Sequence, residues 1–320
     1  NFKLQTSNFK LQTSNFKPMT IPPYLKKGDT IGITCPAGYM AAEKAATCIQ
    51  TLQQWGYEVM VGKTLGSSSE NYFSGTDGER AAELQAMLDD SSINAILFGR
   101  GGYGMGRIID MLDFKKFKKN PKWLIGFSDI TVLHTHLLNN YKIASMHAPM
   151  AGAFNENPSE NTFIISLKRA LEGKKGNYKS AGHPFNKKGE ATGILTGGNL
   201  ALLSNVIGTA SDFDTRNKLL FIEDTGEYLY NLDRMLYHLK RSGKFKKPAG
   251  IIFGGFTDMK DTERPFGKSA EEIIQEITAK VECPVCFNFP VSHSKENVAL
   301  KVGVAYTLKV TGNKASLVEL

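Results

Sequence analysis

A serine on a strand-to-helix turn, with a glutamate and a histidine far downstream, are the residues of this 320-residue chain that could share one piece of chemistry. Ser128 lies in Gly126-Phe-Ser-Asp-Ile130, directly after the apolar run Lys122-Trp-Leu-Ile-Gly126. The turn is like a nucleophile elbow but lacks the closing glycine. Serine and aspartate are also favoured helix N-caps, and taken alone the cap is the simpler reading. A serine hydroxyl needs a base to become a nucleophile, and the base needs an orienting acceptor. Glu223 closes the apolar run Lys218-Leu-Leu-Phe-Ile222, and His293 follows Phe289-Pro290. The order Ser, Glu, His occurs in many α/β hydrolases, which permits the assignment without deciding it. His147, at the end of the strand over 143–146, is the rival base. His134 and His136 read as packing or surface residues of the helix after Ser128, His183 as a linker residue and His238 as part of a lysine-rich helix.

Gly99-Arg-Gly-Gly-Tyr-Gly104 is the second chemical motif, between the apolar run 93–98 and a helix start at Met105. Its G-x-G-x-x-G spacing matches the dinucleotide fingerprint, but it follows the third strand of its domain, not the first. A plain tight turn with positive φ is the second use. An oxyanion hole built from its backbone N–H groups is the third.

These residues must be held by strands and helices in alternation. The pattern predicts strands at 30–34, 58–61, 93–98, 122–126 and 143–146, with helices at 41–54, 78–88 and 132–139 between them, hence a parallel sheet covered on both faces. Residues 155–190 hold a helix at 162–171 and then a glycine- and lysine-rich stretch, the candidate linker. Strands at 193–196, 218–222, 250–253 and 285–287 follow, with helices at 199–207, 229–239 and 269–279. A closing hairpin around Gly312-Asn313 makes the second sheet mixed. The fold class is α/β, with domains at 19–154 and 191–320. Residues 1–18 repeat Asn-Phe-Lys-Leu-Gln-Thr-Ser; they read as an appended arm and stay outside the fold argument.

Composition is that of a globular protein, 41% hydrophobic and 22% charged. No apolar run reaches the roughly 18 residues that span a bilayer. Three arm lysines contribute to the formal +8. The remaining lysine clusters, at 115–119, 174–175 and 240–247, lack interleaved aromatics and read as solvated faces, so neither a nucleic-acid nor a membrane partner is expected. Cys283-Pro-Val-Cys286 has no second pair to complete a zinc site and leads into a strand, so the four cysteines read as reduced structural thiols of a cytoplasmic protein.

Gly99-Arg-Gly-Gly-Tyr-Gly104 with Arg107-Ile-Ile-Asp110, then Ile125-Gly-Phe-Ser-Asp-Ile-Thr131, resembles the LD-carboxypeptidase family, which includes the microcin-immunity peptidases. Leu25-Lys-Lys-Gly-Asp-Thr-Ile-Gly-Ile33, Thr196-Gly-Gly-Asn-Leu200, Phe221-Ile-Glu-Asp-Thr-Gly-Glu227 and Ser292-His293 are similar to that family too, so the resemblance runs from residue 19 to the C-terminus. It implies a Rossmann-like N-terminal domain, a smaller mixed α/β C-terminal domain, a homodimer, and a serine peptidase without metal or cofactor. By position it implies Ser128 as nucleophile, Glu223 as orienting carboxylate and His293 as base, with the N–H groups of Asp129 and of Gly101 or Gly102 as oxyanion hole. The substrate implied is a muropeptide losing a terminal D-alanine at an L,D bond during cell-wall recycling. Arg100 and Tyr103 are the candidate substrate-binding residues. The family's other branch cleaves peptidyl-nucleotide antibiotics. A dinucleotide-binding oxidoreductase and a non-catalytic binding protein are the alternatives of other classes. The chain departs from the family in having Ala148 after His147, where glycine is usual, and in the segment 291–297 around His293.

Overall fold

A computed structural model describes residues 19–154 and 157–320; the repeat arm lies outside the described residues. The N-terminal half alternates β1 Thr30–Thr34, α1 Ala46–Gln54, β2 Glu58–Val61, α2 Asp77–Asp89, β3 Ile93–Phe98, the one-turn α3 Met105–Ile108, α4 Lys115–Lys119, β4 Trp123–Gly126, α5 Thr131–His136 and β5 Ser145–His147. A capping box of Thr76 and Glu79 starts α2, one residue earlier than the sequence pattern suggests. The five strands are parallel in the doubly wound order β2-β1-β3-β4-β5.

The second half contains α6 Thr162–Leu171, β6 Asn177–Ala181, β7 Gly189–Asn199, α7 Leu200–Asn205, β8 Lys218–Thr225, α8 Leu229–Arg241, β9 Gly250–Thr257, α9 Ala270–Thr278, β10 Val285–Cys286, β11 Leu300–Val302, β12 Ala305–Val310 and β13 Lys314–Glu319. Its sheet runs β10-β9-β8-β7-β12-β13-β6, with the first four strands parallel and β12, β13 and β6 antiparallel, a mixed sheet as expected. Two segments depart from the sequence reading. The glycine- and lysine-rich end of the stretch read as a linker forms β6, an edge strand on β13. β11 leaves the second half and pairs antiparallel with β5, completing the first sheet as its sixth strand. Such long-range pairing leaves no local pattern, because edge strands draw their partners from distant sequence.

Side-chain alternation along the strands sets the layers. Ala95 and Leu97 of β3 pack with Cys48 and Leu52 of α1, whereas Ile96 and Phe98 pack with Leu84 and Leu88 of α2. On β8, Leu219 and Phe221 join the first of these cores and Leu220 and Ile222 the second. Each core therefore runs through both halves of the chain. No helix among the described residues is long and apolar enough to cross a membrane.

Candidate active site

Ser128 is one residue beyond Phe127, which ends the run out of β4, and has φ 62°. A non-glycine residue in the left-handed region costs about 1–3 kcal/mol, a strain found where a turn presents a side chain for function. The cap alternative loses its basis here: no side chain caps the helical turn at Ser128–Ile130 or the start of α5. Gly101 packs on this serine. A Cβ there would stand 3.0 Å from Ser128 Cβ, 3.2 Å from its Oγ and 3.3 Å from the Asp129 nitrogen. Close backbone approach, not phosphate binding, is what this glycine supplies. The dinucleotide reading fails on the next residues. The glycines lead into a single helical turn, and its first N–H, at Met105, donates to Asp129 Oδ2 at 2.6 Å. That amide is therefore taken and does not face a pyrophosphate, and the turn is too short to add a useful helix dipole.

Glu223 sits on β8, wholly buried, and His293 comes from the loop beyond β10, its side chain 18% exposed. His293 Nδ1–H donates to Glu223 Oε2 at 2.6 Å, which leaves Nε2 as the acceptor. The approach depends on Gly254 and Gly255 of β9. A Cβ on Gly254 would fall 2.0 Å from the Val291 carbonyl oxygen, and one on Gly255 would fall 2.6 Å from Ser292 Cβ. Gly255 N–H donates to that same carbonyl at 3.0 Å. Burial works against a charged imidazole, but the Glu223 hydrogen bond and charge, with Asp224 behind it, hold the His293 pKa above its ordinary value.

The two halves meet at these residues. The Phe127 ring lies 4.9 Å from the His293 ring and 5.7 Å from that of His147. Asn199 N–H donates to Thr131 Oγ1 at 3.0 Å, and its Nδ2–H donates to Asp224 Oδ1 at 2.7 Å. The helix behind Ser128 is thereby tied to the strand that carries Glu223. The sequence reading passed over Thr131 and Asp224; Asn199 and the acidic pair Glu223-Asp224 are visible in the sequence, but their partnership is three-dimensional. His147, the rival base, is fully buried beside Phe221. Burial lowers its pKa well below the ordinary value, and the charges it feels are those of His134 and His293, not of a carboxylate. His134 is a packed residue, its ring bonded to Ser145 Oγ and the Gly126 carbonyl.

A cavity of about 690 Å³ opens beside Phe127 and His293. One side of its wall comes from the loops beyond β1, β3, β4 and β5, the carboxyl edge where doubly wound sheets take their ligands, and the other from the start of α6 and the loop 293–297. Arg100 is on that wall and donates to the Tyr39 carbonyl at 2.8 Å. Lys44 and Lys295 join it, and no carboxylate among the described residues lines the wall. Tyr103 is not part of it: half-exposed, its ring packs 5.9 Å from Phe73. Gly101 and the Asp129 nitrogen lie next to Ser128, while Gly102 lies against Tyr72 and Gly38.

The family model for the LD-carboxypeptidase N-terminal domain matches residues 31–148, and that for the LD-carboxypeptidase C-terminal domain matches 192–308. The chain belongs to the LD-carboxypeptidase family. It is a serine-type carboxypeptidase by class, as the sequence motifs suggested. It is 34% identical over 304 residues to a probable murein peptide carboxypeptidase of Bacillus subtilis, covering 93% of this chain and 94% of that one. It is 27% identical to the microcin C7 self-immunity protein MccF of Escherichia coli, covering 92% and 94%. The crystal structure of muramoyltetrapeptide carboxypeptidase from Oxalobacter formigenes superposes with a TM-score of 0.82 at 27% identity, covering 91% of this chain and 99% of that one.

Proposed function

We propose that this family member removes the terminal D-alanine from muropeptides by acyl transfer to Ser128. The Glu223–His293 hydrogen bond at 2.6 Å, on the wall shared with Phe127, is the observation that carries the reading. His293 Nε2 takes the Ser128 hydroxyl proton as Oγ attacks the carbonyl carbon of the L,D bond. The oxyanion forms against the Asp129 N–H and a glycine N–H of the Gly101-Gly102 pair. Collapse breaks the C–N bond, and His293 returns its proton to the leaving amine of D-alanine. Water, deprotonated by the same imidazole, then cleaves the ester and frees Ser128. Glu223 fixes the ring and stabilises its cation. Lys44, Arg100 and Lys295, unopposed by any carboxylate of the cavity wall among the described residues, suit a peptide with several carboxylates, and Arg100 pairs with one of them.

Ser128→Ala should remove D-alanine release from a purified muramoyl tetrapeptide while leaving the melting temperature within a few degrees. Full turnover in that variant would overturn the proposal. The relationship to a self-immunity protein supports a second reading, cleavage of an aminoacyl nucleotide analogue, and Tyr39 and Phe163 on the cavity wall could face a base. Comparing the tetrapeptide with an aminoacyl sulfamoyl adenosine as substrates separates the two. Homodimeric assembly and a cytoplasmic location belong to the same proposal; light scattering in solution tests the first, and cell fractionation the second.

A further inference from the structure

The glycine turn that faces Ser128 is held at both ends. At its start, Gly38 N–H donates to the Gly101 carbonyl at 3.0 Å. A trans peptide is planar, so the N–H of Gly102 is turned to the side opposite that carbonyl. At its end, Gly104 has φ 151°, and two buried charges grip the chain there. Asp129 Oδ2 accepts the Met105 N–H at 2.6 Å. Arg80, wholly buried on α2, donates from Nη1 to the carbonyls of Gly104, at 3.3 Å, and Pro36. Arg80 is itself fixed, paired with Asp77 and stacked with its Cζ 4.7 Å above the Phe73 ring.

This arrangement is costly for stability alone. Taking a carboxylate and a guanidinium out of water costs several kcal/mol per ion before pairing is counted. Asp129 recovers only part of that, from the Met105 N–H and the Arg80 charge, and its Oδ1 has no hydrogen-bond partner among the described residues. An apolar side chain would fill the same space more cheaply. What the carboxylate adds is position: it belongs to the residue next to Ser128 and holds the far end of the turn that carries the glycine N–H groups. The two halves of the oxyanion hole are thus tied by one side chain.

We propose that the Asp129 carboxylate, seconded by Arg80, is a positioning element that sets the spacing between the Gly101–Gly104 turn and Ser128, and with it the geometry of the oxyanion hole. The inference rests on the reading of Ser128 as nucleophile. An oxyanion exists only in the transition state, so loss of the clamp falls on kcat and leaves KM in place. Steady-state kinetics on a muramoyl tetrapeptide at pH 8, with Asp129→Ala, Asp129→Asn and Ser128→Ala side by side, test it. Asp129→Ala should lose roughly 10- to 100-fold in kcat, the scale of a displaced donor, with KM within about twofold. Its affinity for a peptidyl boronate, which forms the tetrahedral adduct, should fall by a similar factor. Asp129→Asn keeps an oxygen for the Met105 N–H and should recover most of the lost rate. Should Asp129→Ala fail to fold by circular dichroism, Asp129→Asn and Arg80→Lys carry the comparison: near-normal kcat in the first and a kcat-only loss in the second support the clamp. A wild-type kcat in Asp129→Ala, or a loss shared between kcat and KM, overturns it, as does Asp129→Asn falling as far as the alanine variant. Ser128→Ala retaining turnover instead removes the nucleophile assignment itself, so the two failures are distinguishable.

Discussion

Replacing Glu223 by glutamine tests the centre of this reading most directly. The side chain is isosteric and wholly buried, so the fold should survive and only the partnership with His293 should change. The wild-type carboxylate accepts the Nδ1–H through Oε2, while its Oε1 has no partner among the described residues. A glutamine amide can sit either way round. With its oxygen toward His293 it keeps the imidazole tautomer but leaves a buried NH2 with nothing to donate to, at a cost of about 1–3 kcal/mol. With its NH2 toward His293 it donates to Nδ1 and leaves an oxygen at the position already unpartnered in the native protein. The second orientation costs less. It moves the ring proton to Nε2, where the imidazole can no longer accept the Ser128 proton. The predicted loss in kcat is therefore about 10³- to 10⁴-fold, or roughly 4–5.5 kcal/mol of barrier. A second effect has a distinct signature. Because Glu223 holds the His293 pKa up, the variant's residual activity should extend to lower pH: the acid limb of kcat/KM, which reports the imidazolium losing its proton, moves toward acid. D-Alanine release followed from pH 5 to 9 measures both. A Glu223→Gln enzyme within tenfold of wild type, or one with an unmoved acid limb, would refute the reasoning.

Gly254→Ala should act at a distance: its Cβ collides with the Val291 carbonyl, the backbone two residues before His293, so kcat should fall at least tenfold and the melting temperature should drop together with it. Steady-state rates with a thermal melt check this. Asp224 carries a pH prediction. Burial, with the Glu223 charge adding to it, pushes its pKa up to about 7. The folded protein then holds a proton that the unfolded chain has already released between about pH 4 and 7. Stability from this group is therefore lost as pH rises through that window, by on the order of 4 kcal/mol at most. Urea midpoints should fall between pH 5 and 8 in the wild type and change less in Asp224→Asn; equal slopes would exclude the assignment.

Much of the architecture was legible because it is written locally. Strands such as Ile93–Phe98 and Lys218–Ile222 are apolar runs on both faces, and the helix Thr162–Leu171 carries its own periodicity, so neither needs a distant partner to be recognised. The two motifs around Ser128 are likewise contiguous, and they sufficed to point to the family. Glycine misled at element ends: β7 runs on through Gly197-Gly198 to Asn199 and β9 through Gly254-Gly255, because these glycines stay in the strand to let another segment approach closely.

Other features depended on meetings that no local pattern records. β6 and β11 are strands because β13 and β5 present unpaired edges to them. Whether Ser128 caps a helix or stands strained at φ 62° follows from the packing of Gly101 and Asp129 around it, not from its neighbours in sequence. The choice between His147 and His293 as partner of Glu223 was open in the sequence, since both follow strands. Burial without a carboxylate separates the first from the second, which receives one at 2.6 Å. The residue types and their order were determined by the sequence alone. Their pairing was decided by the docking of two sheets, because charge, hydrogen bonding and proton affinity depend on what lies within a few ångströms in space, however far away it lies along the chain.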